Sequence, residues 1–262
     1  MGFMYNGIHS KNMKLKARLT SWQASPPLRN SYEIVPGKVG IADFGCDSSE
    51  RYIKVNCNIY PQRTFENLVK VLDDISAWLN PMEGLKQLVL DDVPDRFFLA
   101  RLNTEIDCER ILSSAGSFEL TFICPNPNGY AITDEQFTFS TTGSHELVRN
   151  IGNINSYPIY QLKGNIDSSS SSFVTITTNG EELKLIGRLA SNEILVIDSL
   201  LLTAKVTDLN GNTLRNGLPI LDELNFPTLN KGSNEIIINT NNATFSELNI
   251  LANSCWRWWL WL

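Results

Sequence analysis

The 262-residue chain is 42% hydrophobic and 19% charged, a balance that suits folded, core-forming domains and excludes a disordered spacer. A formal charge of −6 and a sequence pI near 5.1 give no long-range attraction for phosphate backbones, so nucleic acid is not expected as a partner. The length exceeds the common single-domain size, and two domains of roughly 100–150 residues each are the expectation.

The opening stretch, MGFMYNGIHSKNMKLKARL, breaks its apolar residues with Asn, His, Ser and Lys before a continuous apolar run can form, which predicts no signal peptide. No stretch is long enough to span a bilayer, so no membrane insertion is expected. Five cysteines, Cys46, Cys57, Cys108, Cys124 and Cys255, make an odd, irregularly spaced set without Cys-x-x-Cys pairs. Reduced and mostly buried thiols are expected, as suits synthesis in a reducing cytoplasm.

Arg51–Ile59 places Ile53, Val55, Cys57 and Ile59 on one face and Lys54, Asn56 and Asn58 on the other, the period-two pattern of a half-buried strand. From Thr64 to Leu79 the spacing changes. Phe65, Leu68, Val69, Leu72, Ile75, Trp78 and Leu79 recur at helical intervals, with Asn80-Pro81 ending the pattern, which predicts one amphipathic helix near 64–79. Leu88–Leu90, Arg96–Leu102 and Ser117–Cys124 read as further strands, the last with Phe118, Leu120, Phe122 and Cys124 inward and Glu119 and Thr121 outward. Pro125-Asn-Pro127-Asn-Gly129 then breaks the chain, and the domain boundary is expected between about Tyr130 and Asn150, dividing the protein into 1–135 and 136–262.

The second half shows no helical period and reads as all β. Phe173–Thr178 and Glu181–Ile186 flank Asn179-Gly180, the pair suited to a type I′ turn because both central residues need positive φ. Thr203–Asp208 and Thr213-Leu214 flank Asn210-Gly211 in a similar way, and Glu235–Asn239 and Thr244–Leu251 supply two more strands. About eight strands in about 120 residues predict a sandwich or jelly roll. Ser168–Ser172 reads as an exposed loop.

Chemistry-bearing patterns are sparse. The two histidines, His9 and His145, lie in different expected domains with no metal-ligand spacing. Asp91, Asp92 and Asp95 could supply paired carboxylates for glycoside hydrolysis, but neighbours on a strand point to opposite faces, and Leu90-Asp-Asp-Val-Pro-Asp95 reads as a hairpin turn. Asp208-Leu-Asn210-Gly-Asn212 lacks the alternating acids of a calcium loop, and Gly37 and Gly40 form no phosphate-binding pattern. No catalytic, cofactor or metal-binding residues are assigned, no cofactor is expected, and individual binding residues stay unassigned. Cys255-Trp-Arg-Trp-Trp-Leu-Trp-Leu262 concentrates four of the six tryptophans in a segment costly to leave in water, and three readings stay open: packing back on a domain, docking on a partner or a membrane interface, or a tail foreign to the natural protein.

Three passages together resemble the distal tail proteins of siphophage-type bacteriophages. The first is Phe3-Met-Tyr-Asn-Gly-Ile-His-Ser-Lys-Asn-Met13, where Asn12 replaces the family's usual acid. The second is Pro26–Arg29 through Ile34-Val-Pro-Gly37 to Gly40 and Phe44, similar to the family's loop and Pro-Gly-x-x-Gly turn, an order in which proline presets φ and glycine accepts the left-handed position after it. The third runs from Ala77–Asn80 through Leu90–Asp95 to Phe98–Leu102, ending with Phe118–Pro127. Beyond residue 130 the likeness rests on the β-rich pattern and on Leu229–Asn234 leading into Ile236–Ile238.

The resemblance implies a mainly β protein: a β-sandwich-like N-terminal domain with one helix, then a galectin-like or jelly-roll sandwich. It further implies a non-enzymatic virion component at the tail tip, a baseplate homohexamer with head-to-tail contacts joining the tail tube to the host-attachment apparatus. Implied partners are the tail tube protein and a tail-tip fibre or lysin protein, with the tape measure and receptor-binding proteins as further candidates. Ring contacts are expected from the N-terminal domain, including the Arg29–Gly40 loop. The rival reading is a carbohydrate-binding module using Tyr157, Tyr160 and Phe226 against cell-wall polysaccharide; fold analogy alone does not imply sugar binding.

Overall fold

The computed structural model describes residues 2–21, 23, 25–112, 115–169 and 171–257. The chain divides into two compact units, one built from Met1–Ile132, which the chain rejoins at Arg257, and the other from Thr133–Trp256.

The first unit contains strands β1 (Phe3–Tyr5), β2 (Ile8–His9), β3 (Leu15–Leu19), β4 (Leu28–Glu33), β5 (Ala42–Ser48), β6 (Arg51–Ile59), β7 (Lys86–Leu90), β8 (Val93–Leu102), β9 (Glu109–Leu112), β10 (Ala115–Cys124) and β11 (Gly129–Ala131), with helix α1 at Phe65–Trp78. Seven of them hydrogen-bond in the order β2-β1-β7-β8-β10-β6-β3. In a flat sheet β1 and β10, three positions apart, would be separated by roughly 14 Å. Phe3 and Phe122 nevertheless meet edge to face with ring centroids 5.5 Å apart, so the sheet curls round its own core.

The alternation of β6 holds: Ile53, Val55, Cys57 and Ile59 are buried and Lys54, Asn56 and Asn58 exposed. In β10, Phe118, Leu120, Phe122 and Cys124 point inward as expected, but Thr121 is also buried. Its backbone N–H donates to Thr104 Oγ1 at 3.2 Å, so a neighbouring loop covers the outer face there. Helix α1 begins where the pattern placed it, with Thr64 Oγ1 capping the N–H of Asn67. Its buried face is Leu68, Val71, Ile75 and Trp78, followed by Leu79; Phe65 and Val69, expected inward, are exposed. The core grips the C-terminal half of the helix through Trp78, which stacks on Phe3 at 5.5 Å and donates from Nε1 to the Tyr5 carbonyl. The Asp91-Asp92 pair is the whole turn between β7 and β8, because Leu90 already pairs with Val93. The hairpin turn is therefore shorter than Leu90–Asp95, with Pro94 and Asp95 inside β8. Residues 125–128 loop between β10 and β11, and Tyr130 pairs with Phe97.

The second unit is a two-sheet sandwich built from β12 (Gln136–Phe139), β13 (Gly143–Arg149), β14 (Ile159–Asn165), β15 (Phe173–Thr178), β16 (Glu181–Leu185), β17 (Glu193–Asp198), β18 (Thr203–Asp208), β19 (Thr213–Asn216), β20 (Gly232–Asn241) and β21 (Thr244–Leu251). One sheet runs β12-β21-β14-β17-β18-β19 and the other β13-β20-β15-β16. Tyr160, Leu162, Leu195, Ile197, Leu248 and Ile250 from the first share one core with Leu147, Val174, Ile176, Leu183, Ile236 and Ile238 from the second, as facing antiparallel sheets require. Buried Tyr160 bridges the layers, its hydroxyl 3.0 Å from Thr178 Oγ1.

At the β15–β16 hairpin, Asn179 and Gly180 take φ of 53° and 87°, the two positive values of a type I′ turn. The β18–β19 turn differs. Only Gly211 has positive φ, and the Asp208 carboxylate organises the loop by accepting from the backbone N–H groups of Asn210 and Asn212 and from Asn212 Nδ2. Ser172, expected in an exposed loop, is buried; its hydroxyl donates to the Asn242 carbonyl and accepts from the N–H of Asp167.

Candidate functional site

One element stands outside both cores. Strands β4 and β5 pair with each other and with no other strand among the described residues, with Leu28 opposite Ser48, Asn30 opposite Cys46 and, past a register shift, Tyr32 opposite Asp43. Between them Val35-Pro-Gly-Lys38 closes as a turn, the Val35 carbonyl accepting from the N–H of Lys38 and Gly37 at φ 81°, as the Pro-Gly order predicts. The Arg29–Gly40 stretch is therefore not a loop throughout: it is one strand and part of the tip of a two-stranded arm.

A solvated arm would carry polar side chains, yet this one exposes Val39 at 99%, Ile34 at 73%, Phe44 at 69%, Tyr32 at 56% and Leu28 at 55%, together with Val35 and Ile41. An isolated two-stranded hairpin is marginal in water, and exposed apolar side chains concentrated on one element suit an interface. Burying these seven side chains would contribute on the order of 10 kcal/mol before the costs of association. The Arg29–Asp47 pair, 3.6 Å apart with both side chains about 70% exposed, adds little.

Arg51, just after β5 in the chain, is 2% exposed. Its guanidinium donates to the carbonyls of Gln23, Pro127 and Arg257 at 2.8, 2.8 and 2.9 Å and lies 5.6 Å from the Phe98 ring centroid. Burial lowers its pKa because a charged group loses its hydration there; the three carbonyls and the ring compensate. Arg257 in turn donates from Nη2 to Ser48 Oγ at 2.5 Å, at the foot of β5. An arginine at the start of a half-buried, alternating strand looks from sequence like a solvated strand end, so Arg51 gave no signal.

The groups weighed for chemistry are used locally. His9 and Asp91 do meet, with Nε2 2.9 Å from Oδ1, while His9 Nδ1 accepts from the N–H of Lys11, so the ring ties the β1–β2 hairpin to the β7–β8 turn. Asp95 forms a two-pronged pair with Arg96, whose hydrogen bonds lower its pKa. His145 lies against the Thr141 carbonyl at 2.8 Å. No group of three or more His, Cys, Asp or Glu able to hold a metal ion occurs among the described residues, and no helix there is long and apolar enough to cross a membrane. Cys57, Cys124 and Cys255 are buried, and desolvation pushes their thiols up to about 12, 12 and 11; Cys108 is half-buried, and Cys46 is exposed on the arm. Of the three aromatic candidates for a sugar platform, Tyr160 is buried and Phe226 packs against the sandwich core, which leaves Tyr157 exposed. Trp256 is partly buried; the tryptophans at 258, 259 and 261 lie outside the described residues.

Residues 9–124 match the family described as the phage tail protein RIFT-related domain, a span that lies within the first unit and contains the arm. The first unit thus contains a region similar to a phage tail protein domain. The fold of the whole chain is similar to that of the SPP1 Dit (gp 19.1) protein, presented as a paradigm of the hub adsorption apparatus of phages infecting Gram-positive bacteria. The TM-score is 0.72 at 14% identity, covering 95% of this chain and 97% of that one. A chain of the phage p2 baseplate in its activated, strontium-bound conformation is also similar, with a TM-score of 0.51 at 10% identity, covering 95% of this chain and 96% of that one. No curated protein matches the sequence. The first unit thus carries both a packed core and an exposed apolar arm, and the sandwich follows it in the chain.

Proposed function

We propose that the protein is the distal tail hub of a siphophage-type virion, a structural component that joins the tail tube to the tail-tip and receptor-binding apparatus as a ring of six copies. The observation that carries this reading is the apolar arm on a phage tail domain. An unpaired ribbon with Ile34, Val35, Val39 and Ile41 in water at its distal part suits a neighbouring copy that covers it. Arm-to-neighbour contact is heterologous: the donor surface differs from the acceptor surface, so repetition about an axis closes a ring when the rotation between copies divides a full turn. The matching fold of the SPP1 hub protein supports the same reading.

In this role the protein makes and breaks no bonds. The virion tail tip is its site of action and the cytoplasm of the host bacterium its site of synthesis, with the tail tube protein and fibre, lysin or receptor-binding proteins as its partners. The test is the mass of the purified protein by light scattering over a concentration series, with negative-stain imaging of the largest species. Six-chain rings are expected; a single chain at every concentration, alone and mixed with tail tube protein, would remove the ring.

A further inference from the structure

We propose that the groove between helix α1 and residues 103–108 of the first unit seats the arm tip of a neighbouring copy, an inference that rests on the ring proposed above and names the acceptor surface it needs. Helix α1 carries more apolar surface than the core uses. Leu68, Val71, Ile75 and Trp78 form its buried stripe. Beside them Phe65, Val69, Leu72 and Ser76 follow one another three or four residues apart, which sets them along a second line of the helix. Phe65 and Val69 on that line are exposed, and Leu72 is partly buried. An apolar line on the outer side of a helix suits a contact with another surface.

The line runs into a groove of about 420 Å³ whose described lining includes Leu72, Ser76, Leu102 and Ile106, with Asp73 and Glu105 as its charged side chains. Its far wall is pinned to β10: the Asn103 N–H donates to the Thr121 carbonyl at 2.8 Å, and the Thr121 N–H donates to Thr104 Oγ1 at 3.2 Å. The groove is therefore formed before anything enters it. The arm tip is its complement. From Ile34 to Ile41 the tip holds Val35, Val39 and a single charged residue, Lys38, and all four aliphatic side chains are exposed. Seated in the groove they meet Leu72 and Ile106, while the Lys38 cation meets two carboxylates, a pairing of charges that fixes the register of the contact. Glu66 and Lys70, beside the line, pair with each other at 2.9 Å and leave the acidic balance of the groove unchanged. In its own chain the arm contributes nothing to the described lining. Donor and acceptor are thus different surfaces of one chain, as a head-to-tail ring requires.

The test is light scattering over a concentration series on full-length chains, with urea midpoints measured alongside. Ser76→Trp fills the groove from an exposed position, and Lys38→Glu sets a third carboxylate against Asp73 and Glu105. Each is expected to raise the concentration needed for assembly by about tenfold or more at an unchanged midpoint. Asp73→Lys with Glu105→Lys should do the same by facing Lys38 with two cations. The chain that combines Lys38→Glu, Asp73→Lys and Glu105→Lys restores opposite charges and should assemble at concentrations close to the parent's, a recovery that general damage to either surface cannot produce. Should Ser76→Trp lower the midpoint, the charge recovery alone decides. Groove changes that leave assembly at the parent's level, or a combined chain no better than its components, would overturn the proposal; if Ile34→Asp, Val39→Asp still abolishes assembly in that case, the arm keeps its place in the ring and only the seat is wrong. A parent protein that never leaves the single chain removes the ring itself and the seat with it.

Discussion

Two antiparallel pairs in the first unit, β6–β10 and β4–β5, are built with the same hydrogen-bonding geometry and answer to different solvents. In β6–β10 the apolar residues alternate, so one face enters the core and the other meets water; Val55 pairs with Leu120, and both are buried. In β4–β5 no residue is buried, and Leu28, Tyr32 and Phe44 are exposed. The first pair holds the fold together within one chain. The second carries fewer apolar residues, but none of them meets a core, which is why the arm is proposed as an assembly element.

The comparison breaks most severely at Arg51, where the two pairs meet. Arg51→Met removes the donor to three carbonyls and should cost about 3–5 kcal/mol, seen as a lower urea midpoint together with faster amide exchange at Gln23 and Arg257. Leu120→Ala, in the packed pair, should destabilise the first unit by about 3 kcal/mol through the cavity it leaves, with the second unit's unfolding unchanged. Thr64→Ala removes the cap of α1 and should cost about 1 kcal/mol, measured in the same way; an unchanged midpoint would show that core packing alone starts the helix. Val39→Ser, at the exposed tip, should change stability by less than about 0.5 kcal/mol while weakening assembly. A loss of stability comparable to that of Leu120→Ala would mean that the arm belongs to the fold of the single chain.

The same contrast explains what was legible in the sequence. Alternation over Arg51–Ile59 and Ser117–Cys124 is imposed by a half-buried sheet and can be read directly, as can the Asn179-Gly180 and Pro36-Gly37 turns, whose backbone demands select those residues. The helix was visible by period, but not which stripe the core would grip. Val71 is buried while Phe65 and Val69 stay out, because the core closes on the Trp78 end. The arm escaped because a ribbon with both faces exposed has no inside and outside to alternate between, and only the Pro-Gly turn marked it. Arg51 escaped because its carbonyl partners at Gln23, Pro127 and Arg257 come from segments 28, 76 and 206 residues away. Where His9 and Asp91 meet, the partners lie 82 residues apart, and strand pairing of β1 with β7 brings them together.

The most direct test of the arm as an assembly element compares light scattering of the unaltered protein with that of the Ile34→Asp, Val39→Asp chain at matched concentrations, alongside their urea midpoints. The expected result is a mass that climbs towards six chains in the parent and stays at one chain in the variant, with coincident unfolding curves. Equal assembly of the two proteins would contradict the account, since it would place the ring contact on surfaces other than the arm.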